Sequence, residues 1–418
     1  MNAFQDESRL RRLAQAYGTP LWLMDAQTVR QRFQSLQGFD AVRYAQKANP
    51  NLHLLRLLRG LGAKVDAVSR GEALRALSAG FLGDSAQAPL HEAAQSEIVY
   101  TADLLDRESL EFVAEAGLVV NCGSIDMLRQ LSQRSPGHAV WLRLNPGFGH
   151  GHSRKTNTGG EHSKHGIWHE QLGEALAVIR EGGLRLVGLH MHIGSGVDYG
   201  HLQQVCGAMV ELVRQVKAAG MDLLALSAGG GLSVPYRAGE AGVDTAHYFG
   251  LWDAARREAQ ALLGHTLHLE IEPGRYLMAE AGCLLTEVRA VKRQGNVPFV
   301  LVDAGFNELM RPAMYGAHHG MRLLGGQGPL LPSVVAGPLC ESGDVFTQGA
   351  GGEVEPRPLP AAQVGDLLLI ENTGAYGASM SSNYNSRPLI AELLLDGDEE
   401  RLIRRRQTVE ELLALEQQ

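Results

Sequence analysis

The chain is short of cysteine. Its four cysteines, Cys122, Cys206, Cys283 and Cys340, are far apart and form no C-x-x-C pair. Neither a disulfide framework nor a zinc ribbon is signalled. It also lacks a strong charge of either sign. A formal charge of −8 on 418 residues is mild and carries no basic face for nucleic acid. The one basic cluster, "RLIRRRQ" near the C-terminus, reads as a solvated strand or helix edge. No apolar run approaches the length of a membrane span, and "MNAFQDESRLRRLAQAYG" has no apolar core for a signal peptide. These absences lead us to expect a soluble cytoplasmic protein with no nucleic-acid or membrane partner. Internal repeats and long low-complexity segments are missing too.

What is present is a βα rhythm. Eight strand-like segments occur at 41–47, 64–69, 97–101, 118–124, 140–146, 186–195, 223–231 and 267–275. Amphipathic stretches such as "NLHLLRLLRGLG" and "GEALRALSAGF" lie between several of them, with apolar residues three and four apart. This pattern predicts a (β/α)8 barrel. After about residue 276 the segments become short, apolar and bounded by Gly, Pro or Asp, as in "FVLVDAG" and "DLLLIENTGAYG", which predicts a second, β-rich domain. The expected division is an N-terminal segment 1–35 packing with the C-terminal domain, a barrel over 36–276, and a β-sandwich or barrel-like domain over 277–418.

Polar residues gather at the C-terminal ends of the strands, the rim where barrel enzymes build their sites: Lys47, Ser69, Asn145, His192, Gly229 to Gly231, Glu272 and Arg275. Lys47 stands in "RYAQKANPN", where strand alternation would place it opposite Tyr44 and Gln46. A buried ammonium is costly unless paired or used, and the bland alternative is a snorkelling side chain. "SAGGGLS" and "HIGSG" offer backbone amides that can wrap a phosphate. "EIEPGRY" adds a carboxylate, a rigid turn and an arginine, although alone it would read as an ion-paired turn. A lysine amine, a carboxylate, glycine amides and an imidazole plane together are the parts that pyridoxal phosphate (PLP) requires. The pair in "HMH" also suits a metal-dependent barrel hydrolase. That pattern would place the pair on the first strand, where Lys47 stands instead. No metal is expected, and His150, His152, His162 and His165 are read as hydrogen-bonding groups of a loop.

"YAQKANPN", "HMHIGSGVD", "SAGGGLS", "EIEPGR", "GPLCESGD" and "GAYGASMSSNYNSRP", in this order along most of the chain, resemble the PLP-dependent decarboxylases of the alanine-racemase fold. Within that family they are most similar to the diaminopimelate decarboxylases. "NPGFGHGHSRKTNTGGEHSKHGIW" (145–168) points to their enterobacterial-type branch. The resemblance implies that Lys47 is the Schiff-base lysine and that His192 stacks on the cofactor ring. It places Ser195, Gly230 and Gly231 in phosphate-side loops, Glu272 on the ring nitrogen, and Gly274 with Arg275 completing that turn. Tyr376 would close over phosphate and substrate. Arg275, Arg311, Tyr315, Glu341 and Tyr376 would contact the substrate, meso-diaminopimelate. Cys340 would be the proton donor. Cys340 and Glu341 would come from the partner subunit of a homodimer with shared active sites.

The chemistry is consistent with these roles. Loss of carbon dioxide leaves a carbanion that needs a proton, and a thiol can give one. Arginines suit the distal carboxylate of the substrate, and Glu341 suits its ammonium. The nearer rivals, the arginine, ornithine and carboxynorspermidine decarboxylases, share the cofactor residues and differ at the substrate end. Alanine racemase would use a tyrosine in place of Cys340. A non-catalytic PLP carrier would need neither the second domain nor the arginines.

Overall fold

Burial at nearly every position, without alternation, marks the strands of the first unit as parallel and covered on both faces. Ala41–Ala45 (β1) is buried throughout, as are Val119–Cys122 (β4) and Ala139–Asn145 (β5). In the computed structural model, which describes residues 3–149, 159–192, 194 and 198–417, these strands alternate with helices. The other strands are Lys64–Ala67 (β2), Ile98–Ala102 (β3), Arg185–His190 (β6), Ala225–Ser227 (β7) and His268–Ile271 (β8). All eight pair in parallel in the order β1 to β8, and β8 returns to β1, so the barrel is closed.

The helices start where the sequence supplies caps. Ser69, Asp106, Ser124, Asp198 and Asp244 each accept a backbone N–H from the first turn of the helix that follows. Ser69, expected as a rim group, therefore serves as a helix cap, and its Oγ accepts the Glu72 N–H at 3.1 Å.

A full ion pair lies inside the barrel. Arg43 on β1 meets Glu270 on β8 through two hydrogen bonds of 2.9 Å, with side chains 0% and 1% exposed. Arg43 Nη1 also donates to the carbonyls of Val65 and Ser96. Removing one member of such a pair strands a buried charge. Glu270→Ala is expected to lower stability by about 3–5 kcal/mol, whereas the double replacement by leucines is expected to recover most of it. Denaturant midpoints of the three proteins measure this, and equal midpoints for single and double variants would refute it.

The second unit comprises residues 1–31, 234–241 and 275–418. Against the expected divisions at 35 and 276, the chain thus divides at 31 and 274, and a loop from the middle of the sequence joins the sheet unit. The loop does so because Asn372 donates to the Pro235 carbonyl at 3.1 Å and Arg275 donates to Tyr236 Oη at 3.0 Å. The unit is built on a nine-stranded mixed sheet. Leu21–Asp25 lies within it, antiparallel to Gly282–Gln294 and parallel to Glu392–Asp396. Alternate residues serve two cores. Trp22, Leu284 and Ile370 face one, while Leu21, Leu23, Cys283 and Leu393 face the other, beside Leu10 and Leu13 of the helix Glu7–Tyr17. "RLIRRRQ" falls on the edge strand Glu399–Arg404 and the residues just after it.

Candidate active site

In the barrel unit β1 stops at Ala45, and Gln46–Ala48 form a single 3-10 turn. The expected strand to residue 47 is therefore two residues too long, and the alternation that would send Lys47 inward does not apply. A 3-10 turn has about three residues per turn. It buries Gln46 and leaves Lys47 exposed. The turn is locked by Tyr44, whose Oη donates to the Asn49 carbonyl at 2.9 Å and accepts the Asn49 N–H at 3.0 Å. Asn51 then caps the helix Leu52–Gly60. The "EPG" turn after β8 backs the same place: the Ala45 N–H reaches the Pro273 carbonyl at 3.1 Å. A Cβ on Gly274 would stand 3.1 Å from the Ala45 carbonyl oxygen.

Glu272 follows β8 and is 7% exposed. His190 Nε2 lies 2.8 Å from its Oε2, and Ser227 Oγ donates to its Oε1 at 3.1 Å. Burial pushes the Glu272 carboxyl up, but His190, then Arg43, outweigh it and hold the group well below the usual carboxylate range. Asp66, on β2, goes the other way: burial first, then the Glu272 charge, push it up. Glu272 is therefore the more firmly ionised of the two carboxylates. His190 Nδ1 and Asp66 Oδ1, both buried, have no hydrogen-bond partner among the described residues.

The glycines of "SAGGGLS" are a steric necessity. Gly229 has φ +60 and Gly231 φ +105, and a Cβ on either would come within 2.3 Å of a carbonyl oxygen, of Met191 and Gly194 respectively. A Cβ on Gly230 would stand 2.5 Å from the Glu272 carbonyl oxygen. The three residues thus run tightly between the ends of β6 and β8. The Gly230 N–H donates to His192 Nδ1 at 3.0 Å, which fixes the His192 proton on Nε2. Burial, then Arg143 and Lys47, hold His192 well below the usual histidine range, so the ring is neutral. Ser195, expected beside this loop, lies outside the described residues, as do His150 and His152. His165 bonds Asp103 at 2.5 Å, and Asn145 holds the loop end through Gly160 and His165. Among the described residues no three His, Cys, Asp or Glu side chains could hold a metal.

The sheet unit gathers Arg275, Arg311 and Tyr376 around a residue that the sequence reading missed, Tyr236. Arg275 donates to Tyr236 Oη and lies 5.8 Å from its ring centre, while Arg311 lies 4.9 Å from it. The Tyr376 ring is 5.2 Å from the Arg275 guanidinium. Tyr315 closes the short helix Arg311–Tyr315. Arg311 reaches His319 Nε2 at 2.9 Å, and His319 Nδ1 donates to the Glu371 carbonyl. Burial pulls the Arg311 guanidinium down. Neither Arg275 nor Arg311 has a carboxylate partner among the ion pairs of the described residues. Tyr376 has φ +58, an uncommon conformation for a bulky residue that points to function. "VPYR", an aromatic and a cation beside a proline after a glycine turn, was the available signal for Tyr236.

Cys340 is exposed, while Cys122, Cys206 and Cys283 are buried. Its backbone N–H donates to Asn385 Oδ1 at 3.1 Å. Buried Asp344 shapes the turn by accepting the N–H groups of Leu339 and Phe306, each at 2.7 Å. Glu341 is exposed and accepts from the Gly343 N–H. Among the described residues no hydrogen bond, ion pair or ring contact joins Cys340 or Glu341 to the arginine–tyrosine cluster.

The barrel residues fit PLP: an exposed amine, an ionised buried carboxylate, a neutral imidazole, and a glycine turn with no room for side chains. Comparison with known proteins agrees. Residues 26–279 match the pyridoxal binding domain of the pyridoxal-dependent decarboxylases. The chain is 60% identical to the diaminopimelate decarboxylase of Escherichia coli (strain K12), over 97% of this chain and 96% of that protein. It superposes on a crystal structure of diaminopimelate decarboxylase with a TM-score of 0.92 at 59% identity, covering 98% of this chain and 96% of that one. Diaminopimelate decarboxylase from Helicobacter pylori, complexed with L-lysine, gives a TM-score of 0.87 at 31% identity, covering 97% and 99%.

Proposed function

This chain belongs to the pyridoxal-dependent decarboxylases, and from that premise we propose the residues by which it converts meso-diaminopimelate to L-lysine and carbon dioxide, the last step of lysine biosynthesis. The observation that carries the assignment of roles is the clamped, ionised Glu272 on the same closed barrel as the exposed Lys47. Bound, PLP supplies an electron sink for the pair left behind when the carboxylate departs. Lys47 holds the cofactor through its amine. Glu272 keeps a proton on the ring nitrogen. His192 packs on the ring, Gly230, Gly231 and Ser195 take the phosphate, and Gly274 completes the carboxylate turn. Arg275, partly buried, and Arg311, buried, have no carboxylate partner among the described residues and take the distal carboxylate of the substrate, with Tyr315 and Tyr376 beside them. Glu341 takes the distal ammonium, and Cys340 delivers the proton. The last two act across a homodimer in this reading, so each site needs both chains.

The four free cysteines suit a reducing, cytoplasmic setting. No helix of the described residues is long and apolar enough to cross a membrane.

The test is release of carbon dioxide and L-lysine from meso-diaminopimelate by the PLP-loaded protein, against ornithine and arginine. Turnover of either rival at a comparable kcat/KM would overturn the substrate assignment. Glu272→Gln is expected to keep PLP bound and to lower kcat by about 10²–10⁴, because an amide cannot hold the ring proton. Full turnover at full PLP occupancy would remove Glu272 from its role.

A further inference from the structure

We propose that His190, with Ser227, is the positioning pair that fixes Glu272: two donors, one on each carboxylate oxygen, set its orientation toward the cofactor ring. This rests on the reading that Glu272 meets the ring nitrogen.

Strand register delivers the arrangement. His190 on β6 is level with Ser227 on β7, and Ser227 is level with Glu270 on β8. Glu272 lies two residues beyond Glu270. Its backbone is held as well, since the Glu272 N–H donates to the Gly229 carbonyl at 2.7 Å. The hydroxyl of Ser227 accepts the Gly229 N–H at 3.2 Å, which leaves its own proton for Glu272 Oε1 at 3.1 Å. His190 is more specialised. The ring is 1% exposed, and its Nδ1 has no hydrogen-bond partner among the described residues. All the hydrogen bonding of this buried side chain is therefore directed through Nε2 at Glu272 Oε2, 2.8 Å away. An orphaned ring nitrogen is costly to bury. Its retention here makes sense if the other nitrogen has work that no apolar residue could do.

The consequence for Glu272 is specific. An ionised carboxylate accepts both donors at once, while a protonated one must turn its O–H away from one of them. The clamp thus favours the anion against burial and leaves further lone pairs of fixed direction for a ligand N–H. His192, two residues on, differs: its Nδ1 takes the Gly230 N–H.

The test uses the PLP-loaded enzyme and the variants His190→Phe, His190→Gln, Ser227→Ala and Glu272→Gln. The Gln side chain can return a donor near the Nε2 position, and Phe cannot. His190→Phe is expected to lower kcat by about 10–100-fold, the scale lost with the outer partner of a ligating group, with KM and the PLP dissociation constant within about threefold. The visible spectrum of its bound cofactor should shift in the same direction as that of Glu272→Gln. His190→Gln should restore kcat to within about fivefold and restore the spectrum. Equal kcat and spectra in the Phe and Gln variants, or an unshifted Phe spectrum where Glu272→Gln shifts it, would overturn the clamp and leave the role of Glu272 standing. An unaltered Glu272→Gln would overturn both. If His190→Phe does not fold, Ser227→Ala decides: a loss of kcat of about 3–10-fold at constant KM supports the clamp, and no loss of kcat overturns it.

Discussion

Lys47→Ala protein is expected to lose decarboxylation by a factor on the order of 10³ or more, the scale of removing a group on which covalent catalysis depends. The argument is positional. Lys47 stands exposed in the 3-10 turn after β1, and the "EPG" turn of β8 packs against that same turn. Lys64, the other lysine near the barrel interior, is at the opposite end of its strand, where burial and Arg43 pull its ammonium down to about 8. It lies in the wrong place, at the N-terminal rim that barrels use for stability. Borohydride reduction of the PLP-loaded protein followed by peptide mapping should label Lys47. Labelling at Lys64 in the wild-type protein would sink the assignment, as would a visible cofactor band in Lys47→Ala protein that borohydride still bleaches.

Cys340→Ala is expected to lower kcat by about 10²–10⁴, the range for a positioned proton donor, with KM nearly unchanged because binding is assigned to the arginines and Glu341. Cys340 is exposed, and among the described residues no hydrogen bond or ring contact ties it to the arginine–tyrosine cluster of its own chain. That arrangement motivates a cross-subunit test. Lys47→Ala and Cys340→Ala proteins, each strongly impaired, are mixed and allowed to exchange subunits. One site of a mixed dimer then combines intact Lys47 with intact Cys340, and the other carries both lesions. Activity should rise well above either parent. Exchange demonstrated by mass, with no activity regained, would end the shared-site model.

The barrel was readable because its strands are mostly apolar and end in polar turns. All eight appear where those runs predict them. Strand ends were less readable. At Lys47 the alternation argument failed because Gln46–Ala48 leave the extended conformation, and no residue type in "AQKA" announces that change. Partners distant in sequence were hidden too. Arg43 and Glu270 are 227 residues apart, and His190 and Glu272 are 82 apart, so neither pair has a spacing that local pattern can detect. Tyr236 escaped for a related reason: its loop leaves the βα rhythm to join Arg275 and Arg311. The residues proposed to hold the cofactor, by contrast, sit in short motifs whose glycines and prolines are visible as punctuation.

The strand Leu21–Asp25 has a consequence for synthesis on the ribosome. It emerges well before its two neighbours, Gly282–Gln294 and Glu392–Asp396. Every residue of the barrel unit is made before the first of these appears. "LWLMD", buried at all five positions in the finished sheet, must therefore wait unpaired while the barrel unit is made. An apolar strand with open edges in a nascent chain is a site for aggregation or for a holding chaperone. Slowed elongation between residues 274 and 392 would lengthen that wait. Yield of this protein in cells should therefore depend more on the pace of that late stretch than on codons within the barrel.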